Sequence, residues 1–390
     1  MLSRVPTLVP VVRLGVALFF VQSAFNIYSA SLPLYLANLG LAATPIGLLV
    51  GAAGLAELIG ALAVGPAIDR FGGRALLLLG VGCYAAASLG FSLLDAPAAL
   101  AALRLVQGFG LAAVIPSTYS YVPHLVKARG QTLAFASLGA AGNLSMALGP
   151  PLGVLLLQQQ PDALFFSAFG LALVGGLATL SVPPPRPSRR PFGLTFRRAW
   201  LMPLLVGVLS VIQWGVISAF LPIAASAAGS SPALLFTADA ISVLLARVPT
   251  GWIADRYGPL RLALVGVVGM TLSPCVLLLP LHDGVLIAAG VLNGAGAGLT
   301  LPPMLAQISQ RSDETTRGTG LAYFSVAFAV GMILGASGGG LLYPLLGFRG
   351  LLGIGALLCA GGLAVLLADA AALRAAPALL RSAAPSARRD

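Results

Sequence analysis

The sequence has few charged residues and few of the side chains that perform chemistry in enzymes. Only 8% of its 390 residues are charged, and it contains 11 acidic residues, 3 cysteines and 2 histidines. A soluble domain carries about 25% charged residues, because its surface must face water. A soluble enzyme is therefore nearly excluded. The cysteines and histidines have no spacing that suits a disulfide, a metal or a nucleophile–base pair, so we expect no enzyme activity, no metal and no cofactor.

Long apolar runs dominate the sequence instead. Hydrophobic residues make up 58% of the chain, and the mean hydropathy is +0.98. A helix needs about 20 mostly apolar residues to cross the hydrocarbon core of a bilayer. The runs predict an all-α polytopic membrane protein with twelve transmembrane helices, numbered here as spans 1 to 12. They lie at 14–37, 44–66, 75–94, 97–121, 131–157, 162–182, 201–226, 233–253, 259–280, 284–308, 318–345 and 348–369.

The positions of the basic residues predict the topology. In a soluble protein, the net charge of +11 and the pI of about 10.4 would suggest a nucleic-acid partner. With a cytoplasmic N-terminus, every Lys and Arg except Arg104, Arg247 and Arg349 falls on the cytoplasmic side, as the positive-inside rule requires. We therefore expect a multi-pass plasma-membrane protein with both termini in the cytoplasm and no nucleic-acid partner. The short loops favour a bacterial inner membrane.

The second six spans repeat the first six. The pattern Gly-x-x-x-Asp-Arg-aromatic-Gly begins at Gly65 after span 2 and again at Gly251 after span 8, an offset of 186 residues. The same offset aligns Gln107 in span 4 with Asn293 in span 10. This order indicates two six-helix bundles in a parallel repeat. The predicted organisation is an N-terminal bundle at 1–182, a basic cytoplasmic linker at 183–200, a C-terminal bundle at 201–371 and a cytoplasmic tail at 372–390.

These motifs resemble those of the major facilitator superfamily (MFS) of transporters over residues 10–370. The loop motif comprises Gly65, Asp69, Arg70, Gly72 and Arg74, and its second copy keeps Asp255 and Arg256. Arg104 and Gln107 lie in a stretch similar to the fourth-helix motif of the family, and 149–153 resembles the fifth-helix motif associated with antiporters. The resemblance implies the MFS fold, with two pseudo-symmetric six-helix bundles. It is to the bacterial 12-helix drug and sugar efflux branch, whose members are proton antiporters.

The resemblance also implies roles for the two loop motifs. Asp69 would accept hydrogen bonds at the N-terminus of span 11, near Arg317, and Asp255 would do the same at span 5, near Arg129. These contacts would hold the cytoplasmic gate shut while the cavity opens outward. The alternative is a tight cytoplasmic turn whose charges are solvated.

Small residues recur at every fourth position in spans 5 and 11. Such a stripe lets two helix backbones approach closely. Its presence in two repeat-equivalent helices favours a sliding seam between the bundles, and static packing is the alternative. The seam residues are Ser145, Gly149, Pro150 and Gly153 in span 5 and Gly331, Gly335 and Gly339 in span 11.

Charged side chains within the spans are the candidates for proton coupling, because a charge at mid-membrane costs about 2.5–3.5 kcal/mol. They are Glu57 near the centre of span 2, Asp239 in span 8 and Arg104 in span 4. Desolvation favours a neutral carboxyl group and a nearby arginine favours a charged one, so Glu57 could change protonation as the cavity alternates. The alternative is a structural ion pair. Span 1 has no acidic residue, unlike that of many antiporters of the family, which counts against proton coupling.

Uncharged polar and aromatic residues on spans 1, 4, 5, 7, 10 and 11 are the candidates for the substrate cavity. They are Gln22, Asn26, Tyr28, Gln107, Tyr119, Asn143, Gln213, Trp214, Asn293 and Tyr323. With few fixed charges, such a cavity favours a neutral or amphipathic substrate over a multiply charged one. For each residue, a polar contact between helices is the alternative.

The expected function is secondary active transport of a small organic solute by alternating access, with proton-coupled efflux of drugs, sugars or metabolites as the leading form. A uniporter or importer of a neutral metabolite is the alternative. A non-transporting receptor is less favoured, because the short loops leave no room for a soluble sensor domain. We expect the partners to be a small-molecule substrate, protons and the lipid bilayer, and the protein to be a monomer.

Overall fold

The computed structural model of the protein describes residues 5–126, 128–184, 196–312 and 317–382. All regular secondary structure in these ranges is helical. Lipid offers no partner to a backbone N–H or C=O group, and a helix pairs these groups internally. The predicted all-α class is confirmed.

The twelve predicted spans are all found in the described residues. In the first half, span 1 is Val5–Asn26 and Tyr28–Asn38, span 2 is Ala43–Phe71, span 3 is Gly73–Leu93, span 4 is Pro97–Ser120, span 5 is Ala128–Gln159 and span 6 is Pro161–Leu180. In the second half, span 7 is Leu201–Ala227, span 8 is Ala233–Tyr257, span 9 is Pro259–Val276, span 10 is Asp283–Gln310, and spans 11 and 12 occupy Arg317–Ser382. A short helix, Val122–Leu125, precedes span 5, and a 3-10 turn, Arg198–Trp200, precedes span 7.

The boundary between spans 11 and 12 falls at a glycine. Arg317–Ile333 continues through a π-helical turn, Leu334–Gly338, into Gly339–Ser382. Gly347 has a φ of 61°, a left-handed conformation that glycine adopts readily. Ten described segments are long and apolar enough to cross a membrane, and one of them, 319–370, covers both of these spans. These ten segments therefore contain eleven spans. Span 8, a helix of 25 residues, is the twelfth.

The predicted linker and tail lie only partly within the described ranges. Residues 185–195 of the linker and 383–390 of the tail lie outside them, and the helix of span 12 continues to Ser382. The predicted domain boundaries stay a prediction.

Equivalent helices of the two halves pack by the same glycine contacts. A Cβ added to Gly108 in span 4 would collide with the carbonyl oxygen of Ala53 in span 2. A Cβ added to Gly294 in span 10 would collide with the carbonyl oxygen of Asp239 in span 8. The offset of 186 residues relates the members of both contacts, so the repeat read from the loop motifs is also present in the helix packing.

The two ends of the molecule differ in charge. The loops and helix ends at one end carry Arg70, Arg74, Arg256, Arg261 and Arg311, and we call this the basic end. The other end, here the opposite end, carries Asp95, Asp162 and Asp283 together with one arginine, Arg349.

The two halves pack together toward the opposite end. Span 2 approaches span 11 so closely that a Cβ on Gly47 would lie 2.8 Å from the Cα of Gly340. The hydroxyl of Thr44 donates to the carbonyl oxygen of Gly340 at 2.7 Å. Span 8 contacts span 5, where the hydroxyl of Thr237 donates to the carbonyl oxygen of Ala147 at 3.1 Å. These contacts hold the opposite end closed in this conformation.

We predict that Gly108→Ala lowers the free energy of unfolding by about 1–3 kcal/mol, because the added methyl group meets the backbone of Ala53 and the side chain of Ala56. The matched control is Gly142→Ala in span 5, where an added Cβ meets no atom within 4 Å. Thermal unfolding of both variants in detergent measures the difference. Equal melting temperatures would contradict a tight contact between spans 2 and 4.

Candidate functional site

A cavity lies between the two halves near the middle of the spans. Its volume is about 240 Å³, and spans 1, 2, 4 and 5 of the first half and spans 7, 8 and 11 of the second half line it. Most of its wall is apolar and aromatic. Five aromatic side chains line it, namely Phe25, Tyr28, Trp214, Phe236 and Phe328.

Arg104 reaches the cavity wall but is held by the first half. Its side chain is 6% exposed. The Nε group donates to the carbonyl oxygen of Leu49 at 3.2 Å, and Nη2 donates to that of Val50 at 3.1 Å. Nη1 donates to Oε1 of Gln107 at 2.7 Å, and the guanidinium lies 5.9 Å from the ring centre of Phe25. Carbonyl and amide oxygens therefore accept a hydrogen bond from each of the three nitrogen atoms of this guanidinium group.

Glu57 is the acidic residue of the cavity. It is half-buried in span 2 and lies on the wall formed by Gly54 and Phe328. Among the described residues, its carboxylate has no hydrogen bond and no basic group within 4.0 Å. The structural ion pair that the sequence leaves open is thus not formed with Arg104 in this conformation.

A second polar cluster lies within the second half. The Nδ2 group of Asn293 donates to Oδ1 of Asp239 at 2.7 Å, and Nε2 of Gln213 donates to Oδ1 of Asn293 at 2.6 Å. All three side chains are buried. The cluster joins spans 7, 8 and 10, and none of its members lines the cavity.

Three of the ten residues predicted for the cavity line it: Asn26, Tyr28 and Trp214. Asn26 also donates to the hydroxyl of Ser145 at 2.8 Å, and the hydroxyl of Tyr28 bonds that of Ser88 at 3.0 Å. Both residues therefore have a fixed orientation toward the cavity.

The other seven lie elsewhere. Gln107 bonds Arg104, and Gln213 and Asn293 belong to the second polar cluster. The ring of Tyr119 packs on Phe135, and that of Tyr323 on Phe196 and Trp200 near the basic end. Gln22 and Asn143 are half-buried and lie outside the cavity lining. Polar character alone thus selects contacts between helices as readily as cavity positions.

The aromatic wall was not predicted beyond Tyr28 and Trp214. Phe25, Phe236 and Phe328 are apolar residues in apolar spans, so their type carries no signal in the sequence. Their position on spans 1, 8 and 11 is the available signal, because these spans meet where the halves join.

The arginines of the gate motif contact their own half in the described residues. Arg74 donates from Nη2 to the carbonyl oxygens of Leu180 and Val182, at 2.9 and 2.6 Å. The guanidinium groups of Arg70 and Arg256 lie over the neighbouring rings of Phe71 and Tyr257. Gly65 is exposed, and Gly72 forms the turn with a φ of 85°. The side chains of Asp69 and Asp255, and those of their expected partners Arg129 and Arg317, lie outside the described residues.

The predicted seam residues make close contacts, but within each half. Gly149 and Gly153 of span 5 approach the backbone of span 1 at Asn26 and Ile27. Ser145 accepts the hydrogen bond of Asn26, and Pro150 lines the cavity.

The predicted seam residues of span 11 face span 7. Gly331 and Gly335 approach the carbonyl oxygens of Val208 and Ile212, and Gly339 packs on Phe220. Spans 5 and 11 do meet the other half, but through other faces, those of Ala147 and of Ser337. The four-residue spacing of small residues predicts that another helix packs closely at this face, but it does not predict which helix.

A comparison with known families decides the classification. A model described as Major Facilitator Superfamily matches residues 14–223 and 203–388. The chain belongs to this superfamily. It is accordingly a member of a family of multi-pass membrane transporters and not of an enzyme family.

Solved structures and curated relatives agree with this assignment. The nucleoside transporter NupG is similar in fold, with a TM-score of 0.74 at 14% identity over 93% of this chain and 99% of that one. An uncharacterised MFS-type transporter of Mycobacterium tuberculosis is 26% identical over 44% of this chain. A multi-drug resistance efflux pump PmrA homologue of Lactococcus lactis is 31% identical over 27% of this chain. The alignments span 30% and 26% of those two relatives.

We predict that Arg104→Lys destabilises the protein by about 1.5–3 kcal/mol, because an ammonium group cannot reach the two carbonyl oxygens and Gln107 in one plane. The control is Arg349→Lys, the same substitution at an exposed position, which should leave the melting temperature unchanged. Thermal unfolding in detergent measures both. A stable Arg104→Lys protein would mean that these three contacts contribute little.

Proposed function

We propose that the protein is a secondary transporter that exports a small organic solute in exchange for protons. The observation that carries the proposal is Glu57, an acidic side chain without a partner among the described residues, on the wall of a cavity shared by both halves. A carboxyl group at this depth is costly when charged and dry. Its protonation can therefore follow the entry of water and substrate as the cavity changes its access.

The contacts between the halves support alternating access. They lie toward the opposite end, where spans 2 and 5 meet spans 11 and 8. Toward the basic end, an added Cβ on Gly139 or Gly142 of span 5 would meet no atom within 4 Å. The cavity would exchange with the basic end in this conformation and with the opposite end after the halves rock apart there.

The lining favours a small amphipathic solute. Five aromatic rings offer apolar faces, and Asn26, Ser29 and Ser218 add uncharged hydrogen-bonding groups. A volume of about 240 Å³ lies just below the range of about 300–1,000 Å³ found for drug-sized ligands. The proposed substrate is therefore small, or it widens the cavity when it binds.

Two further observations support the proposed direction of transport and the proposed topology. The name of the Lactococcus lactis relative, a multi-drug resistance efflux pump homologue, supports export of organic compounds. The basic end carries the arginines that favour a cytoplasmic location. We therefore place the basic end and both termini in the cytoplasm of a bacterium and the spans in its inner membrane, with the protein acting as a monomer of two bundles.

A uniporter for a neutral metabolite is the second candidate. It is favoured by span 1, which contributes Asn26, Tyr28 and Ser29 to the cavity but no acid. In this case Glu57 would bind substrate and no proton would move with it.

We predict that Glu57→Gln abolishes the response of solute flux to a pH gradient in proteoliposomes, because glutamine keeps the shape of the side chain but cannot exchange a proton. Counterflow of solute without a gradient should persist. The control is Asp162→Asn, an exposed acid at the start of span 6, which should keep full coupling. Full coupling in Glu57→Gln would reject the proposed role, and flux without coupling in the unmodified protein would support the uniporter.

We predict that Gly51→Val opens the opposite end, because its side chain would collide with Ser337 of span 11. A destabilisation of this closed end by about 1.4 kcal/mol raises the open population about tenfold. Thiol labelling of Leu34→Cys, at a partly buried position packed against the second half, measures this population. Gly82→Val, where an added Cβ meets no atom within 4 Å, is the control. Equal labelling rates would contradict the closed contact of spans 2 and 11.

A further inference from the structure

Asp239 is buried with too few partners for a charged carboxylate. It is 2% exposed, and among the described residues the amide of Asn293 is its one hydrogen-bond donor. No described basic group lies within 4.0 Å of it. An isolated charge that is buried in an apolar environment is strongly unfavourable, and such a group is neutralised instead.

The cluster around Asp239 contains a buried polar atom without a partner. Asn293 uses its amide NH2 group toward Asp239 and its oxygen toward Gln213. The Oε1 atom of Gln213 is buried and has no partner. The cluster thus contains one unpaired amide oxygen and a carboxyl group that accepts a single hydrogen bond among the described residues.

We propose that Asp239 is protonated in this conformation and that, with Asn293 and Gln213, it forms a proton-binding site within the second half, separate from Glu57. A proton removes the unpaired charge of this buried carboxyl group. Proton binding by Asp239 is a property of the folded protein and does not depend on the proposed function. Only a role of this proton in transport rests on that proposal.

A metal cation fits this cluster less well than a proton. The two amide bonds are short, at 2.6 and 2.7 Å, and the NH2 group of Asn293 faces the carboxyl group, where a cation would need an oxygen. The backbone of Gly294 also packs directly against that of Asp239. A proton needs neither space nor extra ligands.

The helices around Asp239 bring few other charges near it. Arg247, two turns along span 8, is the basic group that acts on it electrostatically, and Arg247 also interacts electrostatically with Tyr119 of span 4. Spans 7 and 10 carry no charged residue after Leu201 and Asp283, and span 5 carries none after residue 129. Span 9 carries Arg261 at its start, at the basic end.

Two aromatic residues that line the cavity are close in sequence to members of the proton-binding site. Trp214 follows Gln213 in span 7, and Phe236 lies one turn before Asp239 in span 8. Their ring centres are 5.6 Å apart in an edge-to-face arrangement. Both rings line the cavity, whereas Asp239 and Gln213 do not.

Infrared spectroscopy of purified Glu57→Gln protein tests the proposal directly. In this variant Asp239 is the one remaining acid within a span and away from its ends, because the others lie outside the predicted spans or at their ends. A band of a protonated carboxyl group in an apolar environment at neutral pH therefore reports on Asp239. We expect the band to be present, and to be lost when Asp239→Asn is added. Absence of the band at neutral pH would overturn the proposal. Because no transport is measured, failure of the proposed coupling through Glu57 would leave this result unchanged.

Thermal unfolding provides the second measurement. A carboxyl group that binds its proton more tightly when folded stabilises the fold at low pH, and this stabilisation is lost as pH rises. The melting temperature of Glu57→Gln should fall by several degrees from about pH 5 to about pH 9, and the fall should be smaller once Asp239→Asn is added. Equal falls in the two proteins would overturn the proposal. A second result would also overturn it. If about 0.1 M sodium chloride raised the melting temperature relative to choline chloride, and Asp239→Asn removed this rise, the site would bind a metal cation.

Discussion

Close approach of helix backbones is the constraint on which the rest of this structure depends. Within a bilayer no hydrophobic force drives helices together, so small residues and van der Waals packing must do so. Gly108 and Gly294 let span 4 meet span 2 and span 10 meet span 8. The same offset of 186 residues relates the contact of Gly80 with the carbonyl oxygen of Gly110 to that of Gly266 with Gly296. These glycine contacts fix the cavity walls, because the polar and aromatic residues project from helices whose spacing they set.

The repeat preserves this packing but not the charges. At the position equivalent to Arg104 the second half has Gly290, which packs against the carbonyl oxygen of Leu235, the equivalent of Leu49. At the position equivalent to Asp239 the first half has Ala53. One half therefore contributes a cation on its fourth helix and the other an acid on its second. The repeat has thus kept the residues that bring helices together and has changed those that bear charge, so the two halves differ in their charges rather than in their packing.

The sequence predicted the spans well and the faces of the helices poorly. Length and apolar composition define a span whatever its neighbours are, and the positive φ of Gly347 falls between the predicted ends of spans 11 and 12. A charge in an apolar run is conspicuous, so Glu57, Arg104 and Asp239 were selected as candidates from residue type alone, and their role in proton coupling stays a prediction. Phe236 and Phe328 were missed because a phenylalanine in lipid, in a core and in a cavity has the same sequence context. Gly149 and Gly335 were assigned to the wrong neighbour, since a stripe of small residues does not specify its partner.

Span 2 connects the acid of the cavity to the closed end of the molecule. Gly47, Gly51 and Gly54 lie on one face of this helix, three or four residues apart, and approach span 11. Glu57 follows Gly54 by three residues and so continues the same face, and Gly51, Gly54 and Glu57 all line the cavity. An ionised Glu57 needs water or a cation, whereas a neutral one tolerates an apolar neighbour. If Glu57 exchanges protons as proposed, its protonation would therefore affect how closely spans 2 and 11 can pack toward the basic end. The link requires no movement within the helix, because a rigid span 2 carries the acid and the glycine contact together.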